Sequence, residues 1–232
     1  MKIALIGYGA MGALVARLAT AAGDAVGITI TSEHASRDAS QLAELLRGHE
    51  VAIDFSIASA VSRNVEACAH AGVPLVEGTT GWQKEETDIR RLIDEHKGAL
   101  VYGANFSVGV NVFYRIVSEA SRLMARLDQY QAFMEEEHHA RKRDAPSGTA
   151  LQLKKLMTEH LEGDIPIASV RAGYIPGTHS VGFDSEADQI RLTHTARSRE
   201  GFAAGALLAA RWIVGRQGVY EFSDVIDQMI KE

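Results

Sequence analysis

At 232 residues the chain can form one large domain or two small ones. Its 46% hydrophobic and 23% charged residues describe an ordinary globular protein and exclude a disordered or fibrous one. The net charge of -6 argues against a nucleic-acid-binding surface, and the single cysteine, Cys68, excludes an internal disulfide and fits a reducing compartment.

The chain opens on the apolar run Ile3-Ala4-Leu5-Ile6, which leaves no room for a secretory signal. No later apolar run reaches the ~20 residues that span a bilayer, so a cytoplasmic protein with no membrane partner is expected. Gly7-Tyr8-Gly9-Ala10-Met11-Gly12 follows the first strand and precedes a stretch in which Leu14, Val15, Leu18 and Ala22 recur at helical spacing. A glycine turn between strand and helix lets the backbone approach a pyrophosphate, which the helix N-terminus then stabilises. The pattern is weak alone and much stronger in a strand-turn-helix context; the bland alternative is a plain glycine turn.

Further strands are predicted at 25–30, 51–55, 74–77 and 99–102, with helices at 11–22, 40–47, 58–71 and 84–97. Such alternation builds a Rossmann-type, doubly wound parallel sheet covered on both faces. Ligands of these sheets bind beyond the carboxyl ends of the strands, where Gly78-Thr79-Thr80-Gly81 and Gly103-Ala104-Asn105-Phe106-Ser107 also lie. After the second strand the sequence reads Thr31-Ser32-Glu33-His34, with Arg37 beyond it. Glu33 suits the ribose hydroxyls of NAD; Ser32, His34 and Arg37 suit a 2′-phosphate, and the choice stays open. Cys68, on a helix, reads as a buried, inert thiol.

Beyond Ser107 the rhythm changes. Helices are expected at 110–127 and 148–161, with strands from Gln129 into a histidine pair and at 169–174, 179–184 and 189–196. Three or four largely antiparallel strands with helices indicate an α+β domain. An apolar helix at 201–214 and a tail at 219–230 complete the chain. The expected division is a dinucleotide-binding domain at 1–105, joined again by 211–232, and a substrate-binding and oligomerisation domain at 106–210, hinged near Asn105 and Arg211.

Chemistry concentrates between Glu137 and Ala150, which reads E-H-H-A-R-K-R-D-A-P-S-G-T-A. Neighbouring histidines on a strand face opposite sides, so at most one of His138 and His139 faces a given cleft. Imidazole titrates near neutrality and serves as acid or base, while Lys142 can hold a carboxylate or deliver a proton. Ser147, Gly148 and Thr149 open a helix whose free N–H groups suit an anion, although simple capping by Ser147 or Asp144 needs no ligand. No metal site is expected, since the histidines are adjacent rather than four apart on a helix. Arg171, His194, Arg197 and Arg199 are weaker candidates for further contacts. Glu135 and Glu136 are expected to balance basic neighbours, and Tyr174 and Trp212 to pack.

The segment H-H-x-x-K-x-D-A-P-S-G-T-A at 138–150, with Gly7–Gly12, Asp54-Phe55-Ser56, Gly78–Gly81, 105–111 and Arg171-Ala172-Gly173, resembles the dihydrodipicolinate reductase family of bacterial lysine and diaminopimelate synthesis. The resemblance spans essentially the whole chain. It implies His138 as proton donor, Lys142 as a second catalytic cation, and His139 with the Gly148-Thr149 backbone on the carboxylates of a small, cyclic, dianionic substrate. It further implies Gly78, Thr79, Thr80, Gly103, Ala104, Asn105 and Phe106 around a nicotinamide, NADH or NADPH as cofactor, and a homotetramer. The glycine loop is one residue shorter than in longer members and lacks their arginine before Met-Gly. Thr31-Ser32 stands where they often carry an acidic-basic pair. The expected reaction is reduction of 4-hydroxy-tetrahydrodipicolinate with loss of water; the rivals are a Rossmann reductase of another amino or oxo acid and a non-catalytic nucleotide sensor.

Overall fold

Strands that are apolar on both faces must be covered on both faces, and the first hundred residues are built that way. The computed structural model describes residues 1–231. Strands β1 (Lys2–Ile6), β2 (Ala25–Ile30), β3 (Val51–Asp54), β4 (Leu75–Glu77) and β5 (Ala99–Tyr102) alternate with helices α1 (Ala10–Ala21), α2 (Ala39–Leu46), α3 (Val61–Ala71) and α4 (Glu86–Glu95). Near the end of the chain come α7 (Glu200–Ile213), β10 (Gly218–Glu221) and α8 (Phe222–Lys231). The six strands form one parallel sheet in the order β10-β5-β4-β3-β1-β2. The doubly wound parallel sheet expected from the alternation is therefore present.

Helices α2, α3 and α4 pack in a row on one face, enclosing Leu42, Val65 and Ile93 with Ala4, Ala52, Leu75 and Leu100. Helices α1 and α7 pack together over the other, where α7 crosses β3, β4 and β5 and the alternate residues Ile3, Leu5 and Ile53 are buried. Cys68 is 1% exposed, as expected for an inert thiol. The tail read as one segment is a strand and a helix. The break falls where Asp224 Oδ2 accepts from the Glu221 N–H at 3.0 Å, so a side chain takes over a backbone donor at the helix start.

The other elements are α5 (Val108–Met124), β6 (Gln131–His138), α6 (Gly148–Thr158), β7 (Ile167–Arg171), β8 (Thr178–Asp184) and β9 (Gln189–Thr195). They form a sheet in the order β7-β6-β8-β9. Phe113 and Val117 of α5 and Leu153 and Met157 of α6 pack over Met134, Val181 and Phe183 on one of its faces. The β6–β8 and β8–β9 pairs are antiparallel, but β7 runs parallel to β6. The reason is α6, a crossover helix that returns the chain to the same end of the sheet.

Two local expectations change. Strand β6 stops at His138, so His139 is not its alternating neighbour but the first residue of the following loop. Tyr174 does not pack: it is 89% exposed, beyond Gly173, whose φ of +46° turns the chain out of β7. Compact units are Met1–Val108 with the segment from Glu200 onward, and Gly109–Arg199.

Candidate active site

In the first unit, three strand ends present glycine-containing turns. Gly7, at φ +85°, has no room for a Cβ, which would lie 2.3 Å from the Phe55 carbonyl oxygen. A Cβ on Gly12 would meet the Gly7 oxygen at 2.2 Å, whereas one on Gly9 would point into open space. Gly7 and Gly12 therefore close the turn, and Gly9 leaves its outer side clear for a ligand. Helix α1 starts at Ala10 with no side chain capping it and no acidic residue in its first turn. Its unpaired N–H groups and positive dipole end fit a pyrophosphate. Tyr8 is more than half exposed beside them.

Gly78 lies against the Phe55 ring, which stands edge-on to Phe106, itself stacked obliquely on Phe222. The Gly78–Thr80 and Gly103–Phe106 turns are thus anchored on one aromatic cluster. Thr79 is tied on three sides: its N–H donates to Glu77, its hydroxyl accepts from the Ser56 N–H, and its carbonyl accepts from the Trp82 indole. Asn105 Oδ1 accepts from the Ser107 N–H at 2.9 Å. Ser32 and Glu33 sit exposed in a short 3-10 turn after β2. Thr31 caps that turn, and its N–H donates to His34 Nδ1 at 3.2 Å, so the His34 ring is engaged locally.

In the second unit, the buried side of β6 carries Met134, Glu136 and His138 in period two. Glu136 is 0% exposed and has His179 of β8 as its register partner. Arg171, at the end of β7, donates to Glu136 Oε1 at 2.6 Å and to the Asp144 carbonyl at 2.6 Å. His138 Nδ1 lies 2.5 Å from Glu136 Oε2, an ion-pair distance without a well-aligned hydrogen bond. The His138 ring stands edge-on to His179 at 5.1 Å, and its Nε2 is 3.2 Å from where a Cβ on Gly177 would lie. Lys142 pairs with Asp144 at 2.8 Å.

Helix α6 begins on Ser147, whose hydroxyl accepts from the Ala150 N–H at 3.2 Å and bonds His179 Nε2 at 2.9 Å. Ser147 rather than Asp144 is the cap. Gly148 is exposed, with open space over its Cα, and the first turn of α6 has no acidic residue. Thr149 bonds the Tyr114 hydroxyl. The Ser147→Ala variant removes a cap and leaves the buried His179 nitrogen unsatisfied; a stability loss of about 1–3 kcal/mol is expected in denaturant unfolding.

The electrostatics favour proton transfer. Burial pushes the Glu136 carboxyl up, but the Arg171 and Ser169 hydrogen bonds and the His138 charge outweigh it and hold it below its ordinary value. Burial lowers the His138 pKa; Glu136 opposes this, while Lys142 and Arg171 reinforce it. His179, deeper, falls to about 4 through burial and the charge of His138, and is neutral near pH 7. Glu136, His138 and His179 offer ligand atoms within 4.8 Å of one another. A cation there would face the guanidinium already bound to Glu136 and the Lys142 ammonium, so the setting suits an anion and a mobile proton better than a metal.

The structure gathers His138, Lys142 and Ser147 around one buried network; His139 lies beside it, its Nδ1 buried without a hydrogen-bond partner. His179 escaped the sequence reading. Its position opposite Glu136 depends on the β6–β8 register, which no local pattern specifies. Arg171, among the weaker candidates, is the counter-charge of Glu136.

Comparison with known proteins supplies the family. The dihydrodipicolinate reductase N-terminus model matches residues 1–106, and the C-terminus model residues 109–226. A Christiangramia forsetii protein named 4-hydroxy-tetrahydrodipicolinate reductase is 35% identical over the full length of both chains. A Methanoregula boonei protein of the same name is 38% identical over 76% of this chain and 74% of its own. The dipicolinate-bound dihydrodipicolinate reductase of Paenisporosarcina sp. TG-14 shares the fold, with a TM-score of 0.76 and 19% identity over 97% of this chain and 99% of that one. The chain belongs to the dihydrodipicolinate reductase family.

Proposed function

We propose that the chain reduces 4-hydroxy-tetrahydrodipicolinate to tetrahydrodipicolinate with loss of water, using NADH or NADPH, in lysine and diaminopimelate biosynthesis. The observation that carries this reading is the cluster around His138: a buried imidazole held by the buried Glu136, with Lys142 and a helix start free of acidic side chains a few residues away. It is supported by a relative of that name over the full chain. In this reading Met1–Val108 with the returning segment is the dinucleotide-binding part, and Gly109–Arg199 holds the substrate and the contacts of a homotetramer. A cytoplasmic location suits the single, buried thiol. Among the described residues no helix is long and apolar enough to cross a membrane.

A dihydronicotinamide held at the glycine turns of the first unit would supply a hydride to an electron-poor carbon conjugated with the substrate imine, and the ring hydroxyl leaves as water. Gly7, Gly9 and Gly12 admit the pyrophosphate to the α1 N–H groups, which bind it without a competing acid side chain. The Gly148 and Thr149 N–H groups and His139 hold the substrate carboxylates, fixing the ring and removing much of the entropic cost of the encounter. His138 gives its proton to the reduced substrate, and Lys142 stabilises the anionic charge beside it. Glu136, fixed by Arg171, keeps a negative charge against the imidazole and so favours its protonated, donating form.

The direct assay follows NADH and NADPH oxidation by absorbance, with substrate made in place from pyruvate and aspartate semialdehyde by a dihydrodipicolinate synthase. Turnover supports the reading, and the two rates decide cofactor preference. A folded protein that binds nucleotide but oxidises neither cofactor would sink it and leave the sensor or a reductase of another substrate.

A pH profile tests the role given to Glu136. Since its charge opposes the lowering of the His138 pKa, Glu136→Gln should move the alkaline fall of kcat/KM to lower pH. An unmoved or upward-shifted limb rules out Glu136 as the counter-charge.

A further inference from the structure

Strands β3, β4 and β5 at the centre of the first unit's sheet are buried along their whole length, and two of them end on a charged residue. Asp54 closes β3 and Glu77 closes β4; both are 0% exposed and are register partners in the parallel sheet. Adjacent strands lie about 4.8 Å apart, so the two carboxyls emerge side by side. Among the described residues no cation pairs with either. The titratable side chain packed near them is the Cys68 thiol of α3, which burial and these same carboxyls push well up. Two full negative charges in such a place repel without compensation.

Each carboxyl has one oxygen engaged. Asp54 Oδ2 accepts from Asn64 Nδ2 at 2.7 Å, and Glu77 Oε1 accepts from the Thr79 N–H at 2.6 Å. The other two oxygens, Asp54 Oδ1 and Glu77 Oε2, are buried with no other partner. One hydrogen between them satisfies both. The hydrogen bonds then close into a ring, because Asn64 also reaches the Ser56 hydroxyl at 3.3 Å and the Ser56 N–H donates to the Thr79 hydroxyl at 3.0 Å.

We propose that Asp54 and Glu77 share a single proton and act as a positioning pair, locking the Phe55–Ser56 and Gly78–Thr80 turns in the geometry that receives the nucleotide. The proposal deepens, and rests on, the nucleotide-binding reading above. Glu77 keeps the proton, since Asp54 has the richer set of donors in Asn64 and Ser56, and burial raises both carboxyls. Neither side chain touches the reacting atoms; they act through Thr79 and Ser56.

The nucleotide-free protein reports the proton directly. In carboxyl-carbon NMR of the wild type at about pH 7, one of these two carboxyls should resonate as the protonated acid, well above the ordinary carboxylate pKa near ~4. That signal should vanish in Glu77→Gln. A carboxyl whose pKa rises on folding stabilises the fold most at pH below its unfolded value, and that stability is lost as pH rises through the folded value. Glu77→Gln puts a permanent donor where the proton sat, so its Tm relative to wild type should climb with pH. Nucleotide affinity, read by calorimetry, should stay within about twofold in Glu77→Gln and weaken roughly tenfold in Glu77→Leu, the scale of one lost buried hydrogen bond. Both carboxyls ionised at neutral pH, or a Gln variant as damaged in affinity as the Leu variant, overturns the proposal. A wild type that shows the shared proton yet binds no nucleotide overturns the positioning role and marks the failure as that of the nucleotide reading. Should Glu77→Leu not fold, the wild-type spectrum and Glu77→Gln still decide.

Discussion

His138→Gln should leave nucleotide affinity unchanged and lower kcat by about 10²–10⁴-fold, the range for removal of a positioned general acid. Glutamine fills similar space and can donate a hydrogen bond, but it cannot give up a proton near neutral pH. The imidazole is suited to the task because opposing influences surround it: burial, Lys142 and Arg171 lower its pKa, and Glu136 raises it. Substrate KM should change little, because the carboxylates are assigned to the α6 start and His139. Steady-state kinetics with either cofactor, alongside calorimetric nucleotide binding, check this. A kcat within a few-fold of wild type removes His138 as the donor; a collapse in Lys142→Ala alone transfers the role to the lysine.

Gly205→Ala should be among the most destabilising single changes in the first unit, although intrinsic propensity argues the other way. In a free helix alanine is favoured over glycine by about 1 kcal/mol. Gly205, however, is buried in α7, and a Cβ there would lie 1.7 Å from the Phe106 carbonyl oxygen, with the Phe222 ring 3.3 Å away. The obstacle is backbone rather than a flexible side chain, so either α7 or the Gly103–Phe106 turn must move. Overpacking of this kind costs typically ~1–3 kcal/mol and at times more, which exceeds the propensity gain. A Tm lower by about 3–8 °C is expected in thermal unfolding. Because the turn that shifts carries Asn105 and Phe106, nucleotide affinity should fall with stability. An unchanged Tm would mean that α7 packs farther from Phe106 than described.

What was legible in the sequence is whatever a short stretch of backbone requires. The strands of the first sheet are apolar on both faces, and their period and spacing are local properties. The glycines are legible for a similar reason: Gly7 and Gly12 stand where a Cβ would strike the backbone only a turn or a strand away. The segment from His138 to Ala150 carries its chemistry in sequence order, because a loop leading into a helix start keeps neighbours in sequence near one another in space.

Partners joined through strand register were not legible. Period two places Glu136 and His138 on one side of β6, but only the antiparallel pairing with β8 sets His179 opposite Glu136, and only the α6 crossover brings Arg171 beside it. A one-residue slip would turn either partner to the other face. The same holds for Asp54 and Glu77, two ordinary acids in sequence that become a buried pair because β3 and β4 are parallel neighbours. The sequence by itself determined the Rossmann-type alternation, the glycine turn and the reactive side chains of the His138–Ala150 segment, since these follow from local sterics and periodicity. The tertiary structure alone decided which charges meet, because register, burial and desolvation exist only once distant strands have paired.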